Sequence, residues 1–95
     1  MNETPAFEWD EDKRLANIRK HGIDFLDMAN LFKHRMLEKI DERENYGEER
    51  IIALGTTGEA VFRIVFTLRG NGVRIISAMK ANRHEQELYY RSVFP

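Results

Sequence analysis

The chain changes from helical to strand-like periodicity about one third of the way along its length. The spacing of apolar residues predicts a helix over 11–21, with Asp10 as its N-cap and Gly22 directly after its last residue. A second helix is predicted over 25–33, where Asp24 takes the capping position. The first third of the chain is therefore expected to be mainly helical.

The rest of the chain alternates between apolar and polar residues, as strands do. Strands are predicted at 36–41, 50–55, 60–68 and 73–79, after a short extended run at 7–9. Gly70-Asn71-Gly72 predicts a hairpin turn, and Asn82 with Glu85 resembles a capping box that starts a last helix over 82–92. This order favours one α+β domain spanning 1–95, with an antiparallel sheet of four or five strands and helices on one face.

The turn predicts that Phe66 pairs with Ile75, or with a neighbour of the same parity, and this pairing divides the side chains of the hairpin between two faces. The residues expected on the core face are Phe62, Ile64, Phe66 and Leu68, joined by Val73, Ile75, Ser77 and Met79. Arg63, Arg74 and Lys80 are then expected to share the opposite face. Three such cations would bind phosphate, because the planar guanidinium of arginine donates two hydrogen bonds at once. The alternative is the ordinary solvent side of an amphipathic sheet.

Composition and charge narrow the classes of function. The absence of cysteine excludes disulfides, thiolate catalysis and cysteine-ligated zinc. Residues 1–49 carry 13 acids against 8 bases, whereas residues 50–95 carry 3 acids against 7 bases. A cationic surface on the second half could attract nucleic acid, or its charges could be scattered over a solvated surface. The start of the chain does not resemble a signal peptide, and the apolar runs are too short for a membrane span, so a cytoplasmic protein is expected.

Other candidate groups have structural alternatives. His21 could transfer protons near neutral pH, or it could merely interact with the carbonyl groups at its helix end. His34 and His84 lie far from it in sequence, so no metal site is expected. The aromatic residues that could stack on bases or pack in a core are Phe7, Trp9, Tyr89 and Tyr90. The acidic stretch 41–49 is interpreted as a solvated loop, and no phosphate-binding or dinucleotide motif predicts a cofactor.

Several ordered segments resemble the BrnT family of toxin–antitoxin ribonucleases over nearly the whole chain. They are Phe7-Glu8-Trp9-Asp10, Asn17, Lys20-His21-Gly22, Phe25, Gly47-Glu48-Glu49-Arg50, Ala53-Leu54-Gly55, Arg74-Ile75-Ile76-Ser77-Ala78, Lys80-Ala81, Arg83, Glu85 and Tyr89. The resemblance implies a RelE-like fold, endoribonuclease activity and inhibition of growth. It also implies a BrnA-type antitoxin of the ribbon-helix-helix class, through which alone the complex would contact DNA. Met79 departs from the family pattern, which usually has a basic residue there, and it is expected either to point to the core or to lie where the strand already ends.

The resemblance and the cationic residues together suggest metal-independent cleavage by the 2′-hydroxyl of the RNA. Arg63, Arg74 and Lys80 would stabilise the transition state, and His21 would be the acid or base. Lys20 and Arg83 would hold backbone phosphates, and Glu49 or Glu85 is a substitute base. One alternative is a toxin fold that has lost activity and only binds its antitoxin. Another is an independent DNA-binding protein, which the lack of a densely basic helix disfavours.

Overall fold

Local capping signals set the limits of the first helix. In a computed structural model that describes residues 6–93, α1 spans Glu11–His21. The Asp10 side chain accepts a hydrogen bond from the Lys13 amide at 3.2 Å, and Gly22 adopts a left-handed φ of 70°. The Gly22 amide donates to the Ile18 carbonyl at 2.8 Å, which satisfies an otherwise unpaired acceptor at the helix end. The predicted N- and C-terminal signals of this helix are both present.

The second and third helices differ in how closely they follow the prediction. The helix expected over 25–33 is divided into α2, Phe25–Met28, and a 3-10 helix, Ala29–Lys33. The last helix, α3, spans Arg83–Val93 and begins with the predicted capping box. The Asn82 amide donates to Glu85 Oε1 at 2.9 Å, and the Glu85 amide donates to Asn82 Oδ1 at 2.8 Å. No helix within residues 6–93 is long and apolar enough to cross a membrane.

Five strands form one sheet in the order β1-β5-β4-β3-β2. Their bounds are β1 Ala6–Glu8, β2 Leu37–Ile40, β3 Ile51–Thr56, β4 Val61–Arg69 and β5 Gly72–Lys80. The β4–β5 hairpin pairs Phe66 with Ile75, as predicted, and turns through Gly70 with a φ of 57°. A positive φ at the first position of a two-residue turn suits glycine, because it has no Cβ to clash.

Two features of the predicted sheet are wrong. The sheet is mixed, because β1 runs parallel to β5 while the other neighbouring strands are antiparallel. The helices also cover both faces, whereas one covered face was expected. Alternation along a strand records which side chains are buried, but it carries no information on strand direction or on which helix covers which face.

The two faces have separate apolar clusters. On the core face, α2 and the 3-10 helix cover the strands, and the fully buried side chains there are Phe25, Leu31, Ile64 and Ile75. On the other face, Tyr89 of α3 packs with Leu54, Val61 and Ala81. α3 covers one end of this second face, and charged side chains that are partly exposed lie over the rest of it.

Asp41 anchors the loop that links β2 to β3. Its side chain is fully buried and accepts hydrogen bonds from Arg43 Nε at 2.8 Å and Nη2 at 2.7 Å. The Asp41 amide also donates to the Arg50 carbonyl at 2.8 Å. These bonds hold the pKa of Asp41 well below its usual range, with the Arg43 side chain as the largest cause. The acidic stretch is thus an ordered loop at this point.

We expect Asp41→Asn to lower the free energy of unfolding at pH 7 by about 1–3 kcal/mol, because a buried ionic hydrogen bond is lost. The pKa of Asp41 is lower in the folded state than its unfolded value of about 3.9, so the unfolded chain takes up the proton first as the pH falls. The difference between the two proteins should therefore shrink below about pH 4. Urea unfolding at several pH values measures it, with Glu44→Gln on the exposed part of the loop as the control. A difference that is constant with pH would contradict this assignment.

Candidate functional site

A β-bulge in β5 divides the three cations that were expected on one face. Val65 pairs with Ser77 and Phe66 pairs with Ile75, so Ile76 is an additional residue without a cross-strand partner. The alternation of β5 is shifted by one residue beyond this point. Arg63 and Arg74 remain on the same face, but Lys80 pairs with Phe62 and lies on the core face.

The other residues predicted near Lys80 also lie on the core-face side. Lys80 borders a cavity of about 450 Å³ that is lined by Gly22, Ile23, Asp24, Asp27, Met28, Asn30, Thr57, Glu59 and Phe62 as well. α1 packs against β5, and Gly22, which directly follows His21, lines this cavity, so the end of α1 lies on this side. Arg14 donates two hydrogen bonds to Asp24 and lowers its pKa, so an ionised, arginine-paired carboxylate lines the same cavity as Lys80. The predicted group of His21, Lys80, Arg63 and Arg74 is therefore not a single cluster.

Four arginines share the other side of the sheet, which we call the arginine face: Arg50, Arg63, Arg69 and Arg74. Arg63 and Arg69 have the same parity on β4, and Arg74 pairs with Thr67 between them. Arg50 directly precedes Ile51, which packs with the core face, so its side chain lies on the opposite side. Arg50 and Arg69 were not predicted as site residues, although the parity of β4 indicates Arg69.

Three glutamates pair with these arginines. Glu48 bridges two of them, with Oε2 at 3.3 Å from Arg50 Nε and Oε1 at 3.4 Å from Arg69 Nη2. Glu8 lies 3.8 Å from Arg74 Nη1 and 3.9 Å from Arg69 Nε. Ion pairs of this length with solvent access stabilise little, so an incoming phosphate can replace them. The face keeps one more positive than negative charge.

Arg63 is held on the face by two neighbours. Its Nε lies 3.3 Å from Glu85 Oε2, and Glu85 is itself fixed by the capping box of α3. Its Nη1 lies 3.7 Å from the sulfur of Met79. Met79 was expected to point to the core, but the bulge places it on the arginine face. The position at which the family pattern usually has a basic residue therefore contacts Arg63 here.

Most aromatic residues considered for base stacking have structural roles. Phe7 packs edge-to-face on Phe32 with ring centroids 5.1 Å apart, and Trp9 packs on Phe25 at 6.3 Å. Tyr89 is buried and contacts the more exposed Tyr90, with ring centroids 5.6 Å apart. The aromatic residue on the arginine face is one the sequence did not suggest. The guanidinium carbon of Arg50 lies 4.0 Å from the centre of the Tyr46 ring.

The remaining predicted residues are peripheral. Arg83 begins α3, its side chain is 94% exposed, and it has a 3.6 Å ion pair with Glu87. Glu49 is exposed, and its backbone carbonyl accepts a hydrogen bond from Thr67 at 2.7 Å. Across the described part of the chain, no three His, Asp or Glu side chains are grouped so that they could hold a metal ion.

Both the sequence and the fold of this chain are similar to those of known proteins. The sequence profile described as "Ribonuclease toxin, BrnT, of type II toxin-antitoxin system" matches residues 9–85. Among solved structures, the chain is similar to the crystal structure of the Brucella abortus ribonuclease toxin BrnT, with a TM-score of 0.63 and 28% sequence identity. The alignment covers 84% of this chain and 100% of the Brucella chain. No curated protein sequence matches significantly. The matched region includes all four residues of the arginine face.

Proposed function

Because the chain belongs to the BrnT family of ribonuclease toxins of type II toxin–antitoxin systems, we propose that it cleaves RNA on the arginine face. The reaction is attack of the 2′-hydroxyl of the substrate on the adjacent phosphate, without a metal ion. It forms a 2′,3′-cyclic phosphate, breaks the bond from phosphorus to the 5′-oxygen of the next nucleotide and leaves that oxygen as a hydroxyl, and RNA loss inhibits growth. The proposal includes the RelE-like fold class that the resemblance implied. The observation that carries it is the gathering of four arginines on the face that α3 leaves partly uncovered.

The arginines can provide the charge stabilisation that this reaction needs. Attack by the 2′-oxygen places additional negative charge on the phosphate oxygens, and fixed guanidinium donors stabilise that charge more than they stabilise the substrate. Arg74 pairs with Thr67, four residues and about 13 Å along β4 from Arg63, so the two arginines would contact separate phosphates of one RNA strand. Glu85 is the candidate base on this face, because its carboxylate already lies against Arg63.

The residues on the core-face side have a different role in this proposal. Lys80 lies on the core face of β5 and His21 ends α1, which packs against β5. Together with Lys20 they would bind RNA that extends past the arginine face. Arg83, which is nearly fully exposed at the start of α3, would bind flanking phosphate at the other end. The expected role of His21 in proton transfer would require the RNA to bend around the sheet.

A toxin of this class is expected to pair with an antitoxin, and we propose a BrnA-type protein with a ribbon-helix-helix DNA-binding element. The toxin would contact DNA only through this partner. A copurification of the two proteins, with and without the antitoxin's DNA-binding part, tests which portion of the antitoxin binds.

The proposed chemistry predicts that cleavage persists in EDTA and leaves a 2′,3′-cyclic phosphate or its opened product. A substrate with a 2′-deoxy sugar at the scissile position should resist cleavage, because it lacks the attacking hydroxyl. End-group analysis of a short labelled RNA measures both results. Loss of activity in EDTA that magnesium restores, or cleavage of the deoxy substrate, would indicate a metal-activated water instead.

Two observations favour the second candidate, a toxin fold that mainly binds its antitoxin. Met79 places a thioether on the arginine face, and three glutamates pair with its arginines, so the free positive charge is small. The same RNA assay separates the candidates. An inactive protein would form the antitoxin complex but would not cleave RNA at any protein concentration tested.

A further inference from the structure

A groove of about 760 Å³ opens beside the arginine face, between α3 and the strands β2 and β3. Its apolar lining consists of Leu37, Ile40, Ile52, Leu54 and Leu88. Leu54 and Ile52 are buried in the sheet, whereas Leu88 on α3 remains 39% exposed. The groove therefore has a flat apolar floor on the sheet and one accessible apolar wall on the helix.

The charged groups around the groove largely cancel. Arg63 pairs with Glu85 at one side, and Asp41 pairs with Arg43 at the other. Glu38, Lys39 and Glu42 also line it. A groove with no excess positive charge is a poor site for phosphate, but it suits a flat uncharged group that has polar edges.

Two side chains offer polar atoms to such an edge. Asn82 uses Oδ1 for the helix cap, and its Nδ2 has no hydrogen-bond partner among residues 6–93. His84 also lines the groove and has no partner within the same described part of the chain. Both can donate to acceptors on a heterocyclic ring, and neither position is needed to cover the apolar cores.

The groove is continuous with the arginine face through Arg63. The Arg63 side chain belongs both to the row of arginines and to the wall of the groove. An RNA strand whose phosphates lie on the arginines therefore passes the mouth of the groove. Single-stranded RNA can turn an unstacked base out of the strand into such a recess, where apolar side chains cover its faces and polar atoms contact its edge.

We propose that this groove is a nucleobase subsite, which binds one unstacked base of single-stranded RNA next to the phosphates on the arginine face. The inference rests on the proposed function, because it takes RNA to be the ligand of the arginine face. It adds a source of sequence preference, since the phosphate contacts themselves do not distinguish bases.

The test uses short 2′-O-methyl RNA oligonucleotides, which bind but cannot be cleaved by 2′-hydroxyl attack, with one abasic position moved along the strand. For the wild-type protein, one position should raise the Kd by about 5- to 30-fold, and the others should have small effects. Leu88→Trp fills the groove from its accessible wall and should remove this position dependence. Leu68→Trp is the matched control, because Leu68 is 60% exposed on the opposite face. It should keep the wild-type profile.

A thermal melt checks that each variant is folded. If Leu88→Trp does not fold, His84→Trp is used as the second groove variant. The subsite is refuted if the Kd of the wild-type protein does not depend on the abasic position, or if both groove variants keep the wild-type dependence. If the wild-type Kd does not depend on the abasic position and Leu88→Trp also loses antitoxin binding, the groove is a protein-docking site instead of a base subsite. If the wild-type protein binds none of the oligonucleotides, the proposed function itself fails and the subsite fails with it. If the protein binds the oligonucleotides but the Kd does not depend on the abasic position, only the subsite is refuted.

Discussion

Arg74→Ala is expected to reduce RNA cleavage by about 100- to 1000-fold, the usual cost of losing one fixed donor to a charged transition state. Arg74 is the central cation of the β4–β5 hairpin on the arginine face, opposite Thr67. Its recorded ion pair is the 3.8 Å contact with the half-exposed Glu8, so its loss should change the free energy of unfolding by less than about 1 kcal/mol. This variant should therefore lose cleavage activity while its stability stays close to that of the wild type.

The measurement is a cleavage time course on a labelled RNA, accompanied by a thermal melt and by growth of cells that express each variant. Arg19→Ala is the matched control, because Arg19 is an exposed arginine on α1, away from the arginine face. It should behave like the wild type in all three assays. An Arg74→Ala protein that cleaves at the wild-type rate would refute the role of the arginine face, and one that fails to fold would show that Arg74 is structural.

Asn17→Ala is expected to lower the free energy of unfolding by about 3 kcal/mol, because three buried backbone hydrogen bonds lose their partner. The Asn17 side chain is buried beside β5, beyond the short strand β1. Its Nδ2 donates to the carbonyls of Ile23 at 3.0 Å and Ala78 at 2.8 Å, and its Oδ1 accepts from the Ala78 amide at 3.1 Å. The amide thus satisfies backbone groups of β5 that no strand pairs, and it joins α1 to the sheet.

For a domain of this size, such a loss corresponds to a decrease in Tm of roughly 10 to 20 °C. Asn17→Asp should be similarly destabilised, since a carboxylate accepts from the Ala78 amide but cannot donate to the two carbonyls. Asn30→Ala is the control, because that exposed side chain has one long hydrogen bond of 3.4 Å to the Asp27 carbonyl. A Tm for Asn17→Ala within a few degrees of the control would show that water replaces the amide.

The local elements were predicted correctly where the sequence signal is itself local. The helix over 11–21 begins and ends at the predicted residues, because Asp10 and Gly22 act on backbone groups within one helical turn. The capping box of α3 and the pairing of Phe66 with Ile75 have the same origin. The family resemblance, which combined many such segments, is confirmed by the match over residues 9–85.

The candidate site was predicted only in part. Arg63 and Arg74 share a face as expected, but Lys80 does not, because alternation was extended through Ile76. A bulge inserts one unpaired residue, and no feature of Ile76 as an isolated residue indicates that β4 will leave it unpaired. Arg50 and Tyr46 join the site from a loop that was interpreted as solvated. The start of this loop is held by the buried Asp41 carboxylate, and nothing in the local sequence indicates that Asp41 is buried.

By itself the sequence determined the helices, the strands and the register of the hairpin at its turn, because these follow from contacts between residues that are near in sequence. It also determined the family, because that follows from a pattern of many residues. Tertiary structure alone decided that β1 is parallel to β5, that α3 covers the face opposite α2, and that Lys80 is separated from the arginines. These outcomes depend on how elements distant in sequence pack, and apolar alternation is compatible with either strand direction and with either face. The arginine face, with the groove beside it, is therefore a product of packing.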